Sequence, residues 1–312
     1  MMEIPTIDLG RSTAGPDEHR AVVAEVDAAC REVGFLAVVD PEFPGDLRTA
    51  ILDEARRFFD LPTAEKESIA IAHSDHHRGY AGLGGELLQP GLLADHKETL
   101  DFGSEVALDD PDRSPLEGPS QWPDLAGFRD VVLTYQAAAL ETAKRLLRLM
   151  AEALDVEVTY FDQALARPLV IARMVHYPPA PEQVIEQQLG CGAHSDYGCV
   201  TVLLTDGVPG LQLQDRAGVW HDITAPPGAF VINFGDMLER WTNGRYRATP
   251  HRVVSSADQH RYSIPVFTNP SYDWPVETFA SCAADGPGYP PTTAGAYLEQ
   301  RFDETFAYRT TD

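Results

Sequence analysis

The amino-acid sequence predicts a mainly β fold with flanking helices. Short β-rich runs recur from residue 168 onward, and glycine, proline and aspartate punctuate them. Helical periodicity is confined to the first half and to the C-terminal end. Apolar residues make up 44% of the 312, enough for a sizeable core, which excludes wholesale disorder.

Taken in order, Ile4-Pro5-Thr6-Ile7-Asp8-Leu9 alternates like a short edge strand, where proline near the start is tolerated. Asp17 is placed to cap a helix whose Val22, Val23, Val26 and Ala29 form one stripe before Gly34 stops it. Residues 34–39 read as a buried strand. Leu47, Ile51, Ala55, Phe58 and Phe59 are the apolar face of a second helix. The stretch 73–97 is rich in glycine and histidine, lacks periodicity and is too long for a plain connector, which points to a functional loop. The longest helical pattern covers 127–153. The β-rich runs follow at Leu169–Tyr177, Cys199–Leu204, Leu211–Gln214, Ala229–Phe234, Ala248–Val254 and Tyr262–Phe267, as in an antiparallel barrel or sandwich. A last helix is predicted over about 293–307. We read 1–312 as a single domain, with an N-terminal helical support region over 1–165, a β core over 166–270 and a C-terminal segment and helix over 271–312.

Acidic residues number 48 against 24 basic ones, a net charge of −24. Such a field repels phosphate backbones and anionic lipid, so neither nucleic acid nor a membrane surface is an expected partner. No apolar run approaches the roughly 18 residues of a membrane span, and Met1-Met2-Glu3-Ile4-Pro5 lacks a signal-peptide pattern. Cys30, Cys191, Cys199 and Cys282 are too dispersed for a disulfide framework or zinc knuckle and read as buried thiols in a reducing compartment. The expected setting is cytoplasmic, as a monomer or weak homo-oligomer.

The strongest chemical signal is His194-Ser195-Asp196 at the mouth of the run Cys199–Leu204. In extended chain, residues i and i+2 share a face, so the imidazole and carboxylate converge. His251, on the run Ala248–Val254, offers a third ligand. Two histidines and one carboxylate leave other coordination positions open, the arrangement of non-haem Fe(II) oxygenases. The same tripeptide recurs as His73-Ser74-Asp75 without a following strand, and we assign it to the loop rather than to metal. Arg261 and Ser263 share a face by the same rule, and a guanidinium fork with a hydroxyl suits a carboxylate. The turn-like residues 255–260 suggest a hairpin between the strands of His251 and Arg261. Residues 235–246 read as structural, with Asn243-Gly244 as a turn and Trp241 as a barrel plug.

In this order, Ile4-Pro5-x-Ile7-Asp8-Leu9, His176-Tyr177-Pro178-Pro179, His194-x-Asp196, residues 235–246, His251-Arg252-Val253 and Arg261-x-Ser263 resemble the isopenicillin N synthase-like family of Fe(II)/2-oxoglutarate-dependent dioxygenases. The resemblance implies a double-stranded β-helix (jelly-roll) core with flanking helices, Fe(II) as the metal, and 2-oxoglutarate and O₂ as co-substrates. It implies His194, Asp196 and His251 as iron ligands, and Arg261 and Ser263 as the grip on the distal carboxylate of 2-oxoglutarate. Tyr177 is a further co-substrate contact in that picture, with Leu211 and Val253 beside it. Plant relatives often carry Asn-Tyr-Tyr-Pro where this chain has Val175-His176-Tyr177-Pro178, and Arg173, on the same strand face, is the expected substitute for the asparagine. Related halogenases have a small residue in place of Asp196, so hydroxylation, desaturation or cyclisation is favoured here.

The expected substrate is a small organic molecule, amino-acid-like or a secondary-metabolite intermediate. Arg78, Tyr80 and Glu86 of the glycine-broken loop are expected to clamp it, with Tyr197 and Phe267 as aromatic walls. Two alternatives stay open at this point. One is an oxidase like isopenicillin N synthase that uses no 2-oxoglutarate. The other is a non-catalytic metal-binding jelly-roll protein, since the same ligands suit zinc.

Overall fold

The computed structural model describes residues 2–89, 91, 93–180 and 188–305. Its centre is an eight-stranded sheet of β2 (Thr6–Asp8), β3 (Phe35–Val39), β11 (Phe230–Phe234), β8 (Val200–Thr205), β13 (Arg261–Asn269), β6 (Leu169–Tyr177), β5 (Glu98–Gly103) and β4 (Gly79–Ala81), in that order. A five-stranded sheet runs β1 (Met2–Glu3), β10 (Trp220–Thr224), β9 (Leu211–Gln214), β12 (His251–Val253) and β7 (Cys191–His194).

Side-chain alternation divides the core into two layers. Along β3, Phe35 and Ala37 face the five-stranded sheet, where they join Val175, Leu213, Ile223 and Val253. Leu36 and Val38 face the other way, into a larger apolar cluster with the helices. Those helices are α1 (Pro16–Glu32), α2 (Gly45–Phe59) and α4 (Phe128–Ala153), with the short α3 (Thr63–Glu67) and α5 (Tyr160–Ala164) beside them. The large cluster takes residues from Ile7 through Phe302. The molecule is therefore layered as helices, large sheet, small sheet.

Several sequence expectations change in detail. Pro5 splits the predicted first strand, and the halves go to the edges of different sheets, β1 against β10 and β2 against β3. The first helix starts at Pro16 behind Gly15, so Asp17 lies in its first turn and favours the helix dipole rather than capping. The hairpin predicted between the His251 and Arg261 strands does not form. β12 pairs with β7 and β9, whereas β13 pairs with β6 and β8, so residues 255–260 cross from one sheet to the other. Trp241, at the end of α6 (Asp236–Trp241), stacks 6.1 Å from Phe279 and meets Phe161 edge-on, filling a corner outside the two sheets. The loop 73–97 contains β4, and β5 follows it directly. The predicted last helix is α7 (Ala294–Thr305), and residues 306–307 lie outside the described residues. All four cysteines are buried and unpaired. Among the described residues, no helix is long and apolar enough to cross a membrane.

Candidate active site

His194 is the last residue of β7, and Asp196 lies two residues on, in the turn toward β8. Their register partner is β12, where His251 stands directly opposite His194. One ligand atom from each of the three lies within 4.8 Å of the others, and no second such cluster occurs among the described residues. His194 Nε2 and His251 Nε2 are 3.7 Å and 3.6 Å from Asp196 Oδ1. Each imidazole is oriented from behind, His194 Nδ1–H donating to the Gly192 carbonyl at 2.8 Å and His251 Nδ1–H to that of Thr249 at 3.2 Å. This assignment leaves both Nε2 lone pairs facing the carboxylate.

Asp196 is oriented just as firmly. Its Oδ2 accepts from the Thr201 hydroxyl and from Asn233 Nδ2 at 2.6 Å, which leaves Oδ1 for the centre of the triad. Burial opposes its charge, yet His251, His194 and these two donors keep it below the usual carboxylate range. Burial and the nearby His194 push His251 down to about 4, so it stays neutral, as a metal ligand must. The loop is clamped onto α6 by Asp236 N–H donating to Asp196 O at 2.7 Å. Gly235 makes that approach possible, since a Cβ there would sit 2.4 Å from Gly198 O and 2.8 Å from Asp196 O.

Two chambers meet at the triad, the inner one lined by all three residues and the outer one by His194 and Asp196. The inner one is lined by Lys97, Tyr177, Leu211, Val253, Arg261 and Ser263 among others. Arg261 is 3% exposed, its guanidinium carbon lies 4.9 Å from the centre of the Tyr177 ring, and its Nε donates to Val208 O at 3.2 Å. Its Nη1 is buried without a hydrogen-bond partner. A buried, unsatisfied guanidinium nitrogen beside a hydroxyl fits a carboxylate guest. Burial raises the pKa of the Tyr177 phenol above its ordinary value.

Arg173 lines both chambers, but its fork is already engaged. Nε and Nη2 donate to Asp101 at 2.6 and 2.7 Å, and Nη1 to Glu86 at 3.2 Å. Glu86 also pairs with Lys97 at 2.9 Å, which in turn meets Asp95 at 2.9 Å and Cys191 Sγ at 3.2 Å. Burial works against the Glu86 charge, yet Arg173 and Lys97 bring it down to about 2. The expected loop clamp is therefore not assembled. Glu86 is buried behind Arg173, Arg78 folds back to donate to the carbonyls of His77 and Leu116, and the Tyr80 hydroxyl donates to Glu98 at 2.6 Å. Charged groups packed inside a protein need partners, and these found them within the scaffold. The same loop supplies His77 and Leu88 to the outer chamber, where Tyr197 and Phe267 do line the wall. His73 and Asp75 form no ligand cluster.

The loop has a second task, which its sequence did not reveal. β7 is an edge strand, and its exposed N–H groups are satisfied by Gln89 Oε1 at Ala193 (3.1 Å) and Asp95 Oδ1 at Gly192 (3.0 Å). Thr201 and Asn233 were also missed. The available signal was a lone asparagine inside the otherwise apolar Phe230–Phe234.

Comparison with known proteins decides the family. Residues 168–270 match the model of the 2OG-Fe(II) oxygenase superfamily, and residues 4–125 match that of the non-haem dioxygenase in morphine synthesis N-terminal region. The chain belongs to the 2OG-Fe(II) oxygenase superfamily. This oxygenase is 36% identical to a 2-oxoglutarate-Fe(II) type oxidoreductase, hxnY, of Emericella nidulans over 92% of its own chain and 87% of the relative. It is 34% identical to a homoarginine-6-hydroxylase of Glycine max over 88% and 87%. Among solved structures it resembles a full-length Neurospora crassa protein in complex with alpha-KG, with a TM-score of 0.86 and 27% identity over 96% of both chains. The oxygenase is thus an Fe(II)- and 2-oxoglutarate-dependent enzyme that oxidises a small molecule with O₂.

Proposed function

We propose that His194 Nε2, Asp196 Oδ1 and His251 Nε2 hold the iron, and that Arg261 with Ser263 and Tyr177 holds the far carboxylate of 2-oxoglutarate in the inner chamber. Leu211 and Val253 form its apolar sides. The observation that carries this reading is the partnerless Nη1 of a buried arginine in the chamber that also contains the three clustered ligand atoms. When bound, the iron centre couples O₂ reduction to decarboxylation of 2-oxoglutarate, giving succinate, CO₂ and a hydroxylated, desaturated or cyclised product. The chain's own residues orient both reactants and exclude water from them. Arg173 acts in the scaffold, bridging β6 to Asp101 of β5 and to Glu86.

The layered sheets are read as a jelly-roll core within one domain over 1–312, its N-terminal third serving as support. The substrate is small and organic, an amino-acid-like molecule or a secondary-metabolite intermediate. The enzyme is read as cytoplasmic and monomeric or weakly self-associating, and a net charge of −24, which repels phosphate backbones and anionic lipid, supports the absence of nucleic-acid and membrane partners. The test is iron stoichiometry and succinate release in the purified protein, with His194→Ala set against His73→Ala. Loss of both in the first variant and retention in the second is expected. Iron loss confined to the His73 variant would place the metal elsewhere, and turnover of a substrate without succinate would return the reading to a 2-oxoglutarate-independent oxidase.

A further inference from the structure

The outer chamber is a half-open cavity beside the triad, with about 560 Å³ of empty space counting its open mouth. Three elements give it apolar walls. Ile171 and Phe267 stand opposite each other on β6 and β13, and Leu298 and Phe302, four residues apart, come from one face of α7. Phe302 stacks on the His77 ring at 4.6 Å and 16°, and Tyr197 meets it edge-on at 6.2 Å. His77 holds a φ of 58°, a left-handed conformation that a non-glycine residue keeps only when its surroundings impose it, and such positions cluster at functional sites.

The ionic groups near this chamber pair with one another, His77 Nε2 among them at 3.9 Å from Asp101 Oδ2. Arg173 has five N–H groups: three are hydrogen-bonded to Asp101 and Glu86, and Nη2 also lies 3.0 Å from Glu86 Oε1 in an ion pair, which leaves one N–H on Nη1 facing no carboxylate oxygen. Lys97 spends its three donors on Glu86, Asp95 and Cys191. Among the described residues, the only carboxylate lining the chamber is the metal-site Asp196. A substrate ammonium would find no counter-charge here, and a substrate carboxylate would compete with Asp101 and Glu86 for a fork they already fill.

We propose that the outer chamber selects a neutral, flat ring compound, seated against the Phe302–His77 stack and oriented by one hydrogen bond to the remaining Arg173 N–H. This deepens the proposed function, since it rests on reading the chamber beside the triad as the substrate side, and it chooses the ring-bearing intermediate over the amino-acid-like molecule. His77 and Phe302 are then specificity residues.

Three probes with one ring and different charge test it: 2-phenylacetamide, phenylacetate and L-phenylalanine. Ligand-observed NMR titration uses the anaerobic protein with Fe(II) and 2-oxoglutarate bound, and again the metal-free protein. The amide is expected to bind at least about tenfold more tightly than either charged probe, because an unpaired charge in this chamber is desolvated without compensation. Phe302→Leu should weaken the amide roughly three- to tenfold by removing the stack, with 2-oxoglutarate affinity unchanged. His77→Asn, which keeps a residue tolerant of the left-handed backbone, should act in the same direction and guards against a folding defect in the first variant. Equal or tighter binding of phenylacetate or phenylalanine overturns the proposal, as does unchanged amide binding in both variants. Failure of iron or 2-oxoglutarate to bind would instead remove the proposed function, and the metal-free series would still read the ring preference.

Discussion

Asp196 can serve a metal because two neutral donors hold the oxygen it does not use. Thr201→Val and Asn233→Leu each free Oδ2, and each is expected to weaken metal affinity about 10- to 100-fold, as removal of such supporting partners does. Competition with a chelator reads the loss, and an unchanged circular dichroism spectrum shows that the fold survives. Arg261 and Arg173 separate by the same logic. Arg261→Ala should raise the 2-oxoglutarate dissociation constant roughly 30- to 150-fold, the loss of about 2–3 kcal/mol of charge-assisted hydrogen bonding. Arg173→Met should leave that constant closer to wild type while lowering the melting temperature, because its fork bonds Asp101 and Glu86. A reversal of the two effects, measured by calorimetry, would exchange their roles. The sequence disclosed these arginines and the ligands because short spacings on strands imply shared faces. It hid the donors behind Asp196, whose distances in sequence, to 201 and 233, carry no pattern.

At the scale of elements, what was legible depended on apolar residues bounded by turn formers. The six β-rich runs carry that signal, the long helix keeps a clean periodicity, and all lie nearly where expected. β5 did not, because Glu98, Thr99 and Asp101 are polar and yet buried, each charge finding its partner on another element. A strand whose polar groups are paired across the fold looks like a loop in sequence. The β12–β13 connection failed for a related reason, since turn-like residues fit a sheet-to-sheet crossing as well as a hairpin. α7 is the element whose docking matters most for the chamber. The Tyr297 hydroxyl donates to Asp236 at 2.9 Å, Tyr197 and Thr305 share a hydrogen bond of 2.7 Å, and Arg301 lies 4.5 Å from the Tyr197 ring centre. Tyr297→Phe removes one of these ties, worth about 1 kcal/mol. Faster hydrogen exchange is expected in the amides of α7 while those of α4 stay protected, and equal acceleration in both would show a global loss of stability instead.

For the whole molecule, the buried charges set the acid limit of stability. Glu98 accepts from Lys66 at 2.8 Å, Tyr80 at 2.6 Å and His176 at 2.7 Å. Burial alone would raise its pKa, but His176, Lys66 and Tyr80 hold it at about 2, below the ordinary 4.5. A depressed folded-state pKa contributes stability that is complete above the ordinary carboxylate range and is lost as pH falls from about 5 toward 2. Glu86 acts in the same direction. Metal-free protein should therefore show a urea midpoint that drops between about pH 5 and pH 3. Glu98→Gln should be destabilised by about 3–5 kcal/mol at neutral pH and show a shallower drop. A wild-type slope in the variant would assign the acid loss to other groups. The pairing of β7 with β12 also bears on folding. β8 through β11 lie between His194 and His251 in sequence, so bringing the two side by side is a non-local closure, slow compared with helix formation. A nascent chain that ends before β12 presents two ligands and no third. Metal capture is thus a clock for completed topology, and in refolding experiments a metal-bound signal should lag the helical signal of α4.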